Sequence, residues 1–307
     1  MTEPEQAEPF NRYGPFLVHS PEWHAHRRLS IGASEVASIL GAPGAFATPL
    51  QVWAEKRDMI VDTGEDDQET EDFLHFGLVM EPVIAEEFVA RAGYPIEDED
   101  QQFISQLYPY LGCSLDKWTW ISKARGPLEL KNTHFFMKGD WDNEPPLKYQ
   151  IQVQAQIAVT GADVGAIAVL IGGNLFKWAI VERNQRFIDA MLEKVERFWE
   201  MVRNDEMPEA IAKDNRFIGQ LLGEEKEGTT IILDGKFFDV EGELNEIKEE
   251  QKRLQKRRDA LEAKIKQAIG KAERGVLPDG SSFTFKTQKR EPFAVPAAEY
   301  RVLRRTK

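Results

Sequence analysis

Cysteine is almost missing: Cys113 is the only one in 307 residues. A lone thiol excludes an internal disulfide and a cysteine-based zinc cluster. Long apolar runs are missing as well. The longest, residues 164–172, falls far short of the roughly 20 residues a helix needs to cross a bilayer. Residues 1–9 are acidic and lack the basic and apolar regions of a secretory leader, so the cytoplasm is the expected compartment. Positive charge is in short supply: 39 Lys and Arg face 52 Asp and Glu, a net charge of −13. That excludes nonspecific nucleic-acid binding by the whole surface but leaves room for a local basic groove. Much of the acidic surplus lies between Asp62 and Asp100, where Arg91 is the one Lys or Arg. Two readings stand for it: solubility, or steering of a polyanion toward a narrow basic entrance. Repeats and low-complexity tracts are absent too.

What is present reads as a large α/β core with an appendage. Residues 1–20 read as a flexible arm, 21–207 as the core, and 208–307 as an extension. In the core, Val36, Ile39 and Leu40 have helical spacing and Gly41 marks a stop, with Gly32 and Ser34 at the entry and Arg27 and Arg28 just upstream. A helix N-terminus can take a phosphate; a serine cap with surface arginines is the plainer reading. Thr48-Pro49 opens a second helix, running to about Met59. Residues 62–67 read as a solvated loop. A longer helix is expected over 71–92, with Phe73, Leu74, Leu78, Ile84, Phe88 and Val89 on its apolar face and Glu81 before Pro82. Strands are expected over 102–107, 111–122 and 127–132. An irregular loop follows over 134–146, then a helix over 147–160 carrying Gln150, Gln152, Gln154 and Gln156. Residues 164–171 and 175–183 form a hairpin across Gly172-Gly173-Asn174, both strands apolar enough to be central. A helix over 185–204 closes the core. In the extension, Leu244, Ile247, Leu254, Leu261 and Ile265 fall on heptad a and d positions over 240–270, interrupted by Gln251 and Arg258. This helix fits beside its predecessor or against another protomer. Asp279-Gly280 marks a turn before a strand around Phe283 and Phe285, and the chain ends basic at Arg301, Arg304, Arg305 and Lys307.

The stretch with chemistry in it is Asp116 followed by Glu129-Leu130-Lys131. Residues two apart on a strand share a face, so Glu129 and Lys131 point together while Leu128 and Leu130 point into packing. Two carboxylates can hold a divalent metal, and a lysine beside them can orient or deprotonate a water. Glu-x-Lys by itself is weak: it also starts at Glu224, Glu246, Glu250 and Glu262. Only at Glu129 do apolar residues flank the acid on a strand with a further acid just before it. The competing reading is a surface hairpin with an ion pair worth about 0–1 kcal/mol.

Four spaced signatures occur in order: Trp23-His24, Arg27 and Ile31-Gly32-Ala33-Ser34-Glu35-Val36; Gly77-Leu78-Val79-Met80-Glu81-Pro82; Asp116 with Glu129-Leu130-Lys131; and Tyr149 with Gln152-Val153-Gln154. Together they resemble the viral recombinase exonucleases typified by phage lambda exonuclease, the YqaJ-like family of the PD-(D/E)xK superfamily, over about residues 21–199. The resemblance implies a restriction-endonuclease-like core, a central mixed sheet flanked by helices, here with a long C-terminal helix and a small β appendage. It implies that Asp116, Glu129 and the Leu130 carbonyl bind metal, that Lys131 orients the attacking water, and that Glu81 helps position a second metal or its waters. Gln152 matches the glutamine beside that site, and Arg27 and Ser34 match residues that hold a 5′-terminal phosphate. Leu115 departs from the superfamily's proline, and residues 62–72 have no clear counterpart. The implied activity is Mg²⁺-dependent 5′→3′ digestion of double-stranded DNA ends with two ions (Mn²⁺ as a substitute), leaving 3′ overhangs for a single-strand annealing protein in recombination. A trimeric ring in the cytoplasm of a bacterial host is implied too. The rivals are an endonuclease of other specificity on the same core and a non-catalytic DNA-end-binding module.

Overall fold

The computed structural model describes residues 8–17, 20–59 and 68–289. Its elements in order are β1 (Phe10–Tyr13), α1 (Pro21–Arg27), β2 (Ile31–Gly32), α2 (Ala33–Ile39), α3 (Pro49–Lys56), α4 (Gln68–Ala92), β3 (Ile96–Asp98), β4 (Gln102–Ser105), β5 (Leu111–Ser114), β6 (Lys117–Ile121) and β7 (Ala124–Thr133). A 3₁₀ segment over Phe135–Trp141 leads to α5 (Leu147–Thr160), β8 (Val164–Ile171), β9 (Leu175–Glu182) and α6 (Gln185–Arg203). A second 3₁₀ turn, Ala212–Asp214, precedes α7 (Asn215–Leu221), and α8 (Phe237–Ile269), β10 (Arg274–Val276) and β11 (Ser282–Thr284) are the last elements among the described residues. There are two compact units, Met1–Gly223 and Glu224–Lys307.

The first unit is built on a five-stranded mixed sheet in the order β3-β6-β7-β8-β9. The β7–β8 pair is parallel and the other pairs are antiparallel. Alternation along the strands sends side chains to opposite faces. On one face Leu128, Leu130, Ala166, Ala168 and Leu170 pack with Ile84, Ala85 and Phe88 of α4. On the other, Ile167, Val169 and Ile171 join Val153 and Ile157 of α5 and residues of α2, α3 and α6. The sheet therefore separates two apolar cores, with α4 over one and α5 over the other. Glu129 pairs with Ile167, and Lys131 with Val169, so both polar residues sit on the α5 face. A second sheet, β1-β4-β5-β2, adjoins it through the chain. Gly112 on β5 has no room for a side chain: a Cβ there would lie 2.6 Å from Ser30 Oγ and 2.7 Å from the Phe103 carbonyl oxygen.

Helix boundaries follow local chemistry. Thr48 caps α3: its hydroxyl accepts from Gln51 N–H, and the Gln51 side chain accepts from Thr48 N–H. Gly161 ends α5 at φ 71°, a left-handed conformation that suits glycine. Asn184 caps α6, whose buried stripe is Ile188, Met191, Val195 and Phe198.

Several sequence expectations need correction. Residues 10–13, assigned to a flexible arm, form β1 on the edge of the second sheet, where Phe10 packs on Phe103. Helix α1 was not foreseen. Residues 111–122 are two strands in two sheets, with the break at Leu115-Asp116. β9 is an edge strand, which is why its burial alternates while β8 is buried throughout. The apolar stripe of α4 is buried only at its C-terminal half: Ile84, Ala85 and Phe88 are inside, while Phe73, Leu74 and Leu78 are exposed. The loop over 134–146 contains the 3₁₀ segment. The first unit also reaches beyond residue 207, because Phe217 and Leu221 of α7 join its core and buried Asp214 accepts from the Thr48 hydroxyl. The loop over 62–67 and the basic C-terminal residues lie outside the described residues.

Candidate active site

Asp116 lies in the break between β5 and β6, where the chain passes from one sheet to the other. Its Oδ2 accepts from the Leu130 N–H at 2.7 Å, which fixes it beside β7. Leu115 beside it is buried in the apolar core that includes residues of α5.

Glu129 is 2 % exposed and is held from three sides. Gln152 Nε2 donates to Oε1 at 2.6 Å, and Gln156 Nε2 donates to Oε2 at 2.6 Å. Lys131 Nζ donates to Oε1 as well. Gln152 and Gln156 stand one helical turn apart and share a face of α5. The neighbouring glutamines face elsewhere: Gln154 Nε2 reaches the Glu182 carbonyl oxygen at 2.7 Å, and Gln150 Nε2 the Pro145 carbonyl oxygen at 2.6 Å. The run of four glutamines therefore divides into two that hold the acid and two that brace the helix. Lys131 Nζ also lies 5.3 Å from the centre of the Tyr149 ring.

Charge is out of balance here. Burial, with the Glu129 charge adding to it, pushes the Asp116 carboxyl well above its ordinary value. Burial raises Glu81 too, and the effects of Lys117 and Lys131 do not cancel it. Burial works to lower Lys131, but the Glu129 and Asp116 carboxylates outweigh it and hold the ammonium above the ordinary lysine range. Asp116 and Glu129 thus share one tightly held cation, Lys131, and Glu81 feels both it and Lys117; the acids are a donor set of hard oxygens that a divalent ion suits. Among the described residues, no three His, Cys, Asp or Glu side chains are grouped closely enough to enclose a metal. Asp116, Glu129 and the Leu130 carbonyl fit a site completed by water or substrate; Glu81 is outside a common cage.

A second cluster reaches the same cavity through Arg27 and Gly32. Glu35 of α2 accepts from Arg27 Nη2 at 3.0 Å, from Lys56 Nζ at 2.9 Å and from the Gly32 N–H at 2.7 Å. Lys56 Nζ also donates to the Arg27 carbonyl oxygen at 2.7 Å. Its side chain is 0 % exposed. Arg27 stacks over Trp23 with its Cζ 4.7 Å from the ring centre. Burial opposes ionisation of Glu35, but Lys56 and Arg27 prevail and hold its carboxyl below the ordinary range. Gly32 is the cap residue of α2, and Ser34 stands in its first turn.

One cavity of about 480 Å³ is lined by Arg27 and Ser34 together with Glu81, Asp116, Glu129, Lys131 and Gln152. All seven side chains singled out in the sequence meet there. Leu130 does not line the cavity; its N–H donates to Asp116 and its side chain is turned into the opposite core. Gln156, Glu35 and Lys56 were missed as site residues. The four-residue step from Gln152 was the available signal for Gln156. Glu35 lies within the first signature, but nothing local marks it as a buried ion-pair partner, and Lys56 at a helix end reads as a surface lysine.

Comparison with known proteins finds similarity over the part of the chain that contains these residues. The YqaJ-like viral recombinase domain model matches residues 22–163. The uncharacterized protein YqaJ of Bacillus subtilis (strain 168) is 29 % identical over 262 residues, covering 83 % of this chain and 80 % of that protein. Among solved structures, an alkaline exonuclease (LHK-Exo) from Laribacter hongkongensis aligns with a TM-score of 0.49 and 17 % identity, over 61 % of this chain and 94 % of the other. A phage-related exonuclease from Haemophilus somnus 129PT aligns with a TM-score of 0.42 and 11 % identity, over 59 % and 98 %. Residues 22–163 are thus similar to the YqaJ-like viral recombinase domain.

Proposed function

We propose that this protein is a divalent-metal-dependent exonuclease that digests double-stranded DNA from its 5′ ends and leaves 3′ single-stranded overhangs. The observation that carries the reading is the shared cavity: Asp116, Glu129 and Lys131 line one part of it, and Arg27 and Ser34 another. A hydrolytic centre and an anion-holding group in one cavity are what an enzyme needs to start at a phosphorylated end.

Asp116, Glu129 and the Leu130 carbonyl would hold magnesium, with Glu81 orienting its waters. Such an ion, when bound, stabilises charge on the phosphate oxygens and lowers the pKa of a bound water. Gln152 and Gln156 hold both oxygens of Glu129 in place, so the carboxylate is oriented before any ligand arrives. Lys131 keeps its proton and orients the attacking water from the same face. Arg27, steadied by Glu35 and Trp23, offers its guanidinium to a terminal phosphate, with Ser34 beside it. Such contacts read the backbone rather than the bases, so binding is independent of sequence and weakens with salt. The overhang would be the substrate of a single-strand annealing protein, which places the activity in recombination.

The test uses three substrates with Mg²⁺: linear 5′-phosphorylated duplex, linear 5′-hydroxyl duplex and closed circular duplex. The phosphorylated duplex should be degraded fastest and the circle left intact. Arg27→Ala should reduce the preference for the phosphorylated end, and Lys131→Ala should abolish digestion. Cutting of the circle, or full activity in Lys131→Ala, would overturn the reading.

A further inference from the structure

The second compact unit contains one long helix, α8, and it has no buried residue among those described. Heptad positions a and d along it are Phe237, Val240, Leu244, Ile247, Gln251, Leu254, Arg258, Leu261, Ile265 and Ala268. Phe237, Val240, Leu244, Ile247, Leu254 and Leu261 are between 42 % and 52 % exposed. A sustained apolar seam of roughly four heptads is the pattern of a helix that pairs. The β10–β11 hairpin accounts only for its end, where Gly275 approaches the Ile269 side chain.

Charge along α8 is segregated. Residues 237–251 carry Asp239, Glu241, Glu243, Glu246, Glu249 and Glu250 against Lys248, and residues 252–269 carry Lys252, Arg253, Lys256, Arg257, Arg258, Lys264 and Lys266 against Asp259 and Glu262. A helix with one acidic and one basic half complements a copy of itself running the other way. Positions g make this specific. They read Glu243, Glu250, Arg257 and Lys264, and in an antiparallel pair g positions face g positions.

We propose that α8 pairs with α8 of a second copy of this chain as an antiparallel coiled coil. In the register that matches the two halves, Leu244 faces Leu261, Val240 faces Ile265, and Gln251 faces Leu254. Glu250 then flanks Arg257 of the other copy, and Glu243 flanks Lys264, each twice by symmetry. Arg258 meets Ile247 rather than its own equivalent, and its guanidinium is already drawn to the flank by Glu262 of the same helix at 2.7 Å. A parallel pair would stack Arg258 on Arg258 in the seam and place acidic half over acidic half. A nucleic acid could use the basic half but would leave the apolar seam in water, and so it fits less of what the helix presents.

The test is crosslinking in the full chain, which reports the seam regardless of any association elsewhere. Leu244→Cys and Leu261→Cys are made separately, at exposed positions that leave each variant able to fold. Under mild oxidation, a mixture of the two should give a disulfide-linked dimer joining one of each. Neither variant alone should, and the parent with its buried Cys113 serves as the blank. Glu250→Lys should weaken association about tenfold, since two attractive pairs become repulsive. Adding Arg257→Glu to it should restore the parent value. Efficient self-crosslinking of Leu244→Cys alone would show a parallel pair and overturn the proposal. So would the absence of a linked dimer in the mixture, or charge changes without effect on association.

Discussion

Two charge clusters meet at one cavity, the first through Arg27, and are built to opposite specifications. Around Glu35, a single carboxylate receives two cations and a backbone N–H, and its pKa is held down. Around Glu129, several carboxylates share one lysine, and burial raises Asp116 and Glu81. The first cluster is complete within the protein, so it can fix the position of Arg27. The second is stabilised by whatever brings positive charge into the cavity. The difference separates a group of residues that holds a shape from one that awaits a ligand.

The largest effect expected on that contrast is on activity. Lys131→Ala should lower the rate of DNA digestion by about 10²–10⁴-fold in a Mg²⁺ assay, with far-ultraviolet circular dichroism unchanged. Glu35→Gln should act on stability instead. It leaves buried Lys56 without its anion, which typically costs about 3–5 kcal/mol, read by urea unfolding. Unaltered unfolding in Glu35→Gln would remove the basis for calling that cluster structural. Third, Mg²⁺ at about a hundred times its Kd should stabilise the protein by about 2.7 kcal/mol in thermal denaturation. Asp116→Asn should lose this gain and Glu35→Gln should keep it, which distinguishes the two clusters in a single titration.

The smallest effect is in pH dependence without divalent ions. Asp116 and Glu81 have raised values in the fold, so the folded state binds their protons more tightly than the unfolded one. Their contribution to stability is fully present below the ordinary carboxylate range, about pH 4, and is lost as pH rises through the raised values. Glu35 works the other way: its contribution is present above that range and is lost as pH falls through its lowered value. Asp116→Asn removes one titrating group, so its melting temperature should gain on the parent's as pH rises above the ordinary carboxylate range. A constant difference with rising pH would contradict the raised value of Asp116.

Much of the site was legible in the sequence because strand and helix periods are local. Alternation put Glu129 and Lys131 on one face and Leu128 and Leu130 on the other, and the parallel register with β8 agrees. The capping signal at Thr48-Pro49 and the stop at Gly41 marked real boundaries. Where the reading failed, the deciding contact came from far along the chain. β1 exists because residues 10–13 pair with residues 102–105. The apolar stripe of α4 stays partly exposed because the core it faces ends near Ile84. β9 looks central by composition, but no strand flanks its outer side in the five-stranded sheet.

The sequence by itself determined which residues are candidates for chemistry and which face of each element they occupy, because both follow from residue type and backbone period. It also determined the seam and the charge segregation of α8. Only the tertiary structure decided that Asp116 sits at a break between two sheets and that Gln156 takes the second oxygen of Glu129. Only there does Lys56 become the buried partner of Glu35. The physical reason is that a charge reveals its role through its desolvation and its partners, and both are set by segments that the fold brings together from distant parts of the chain.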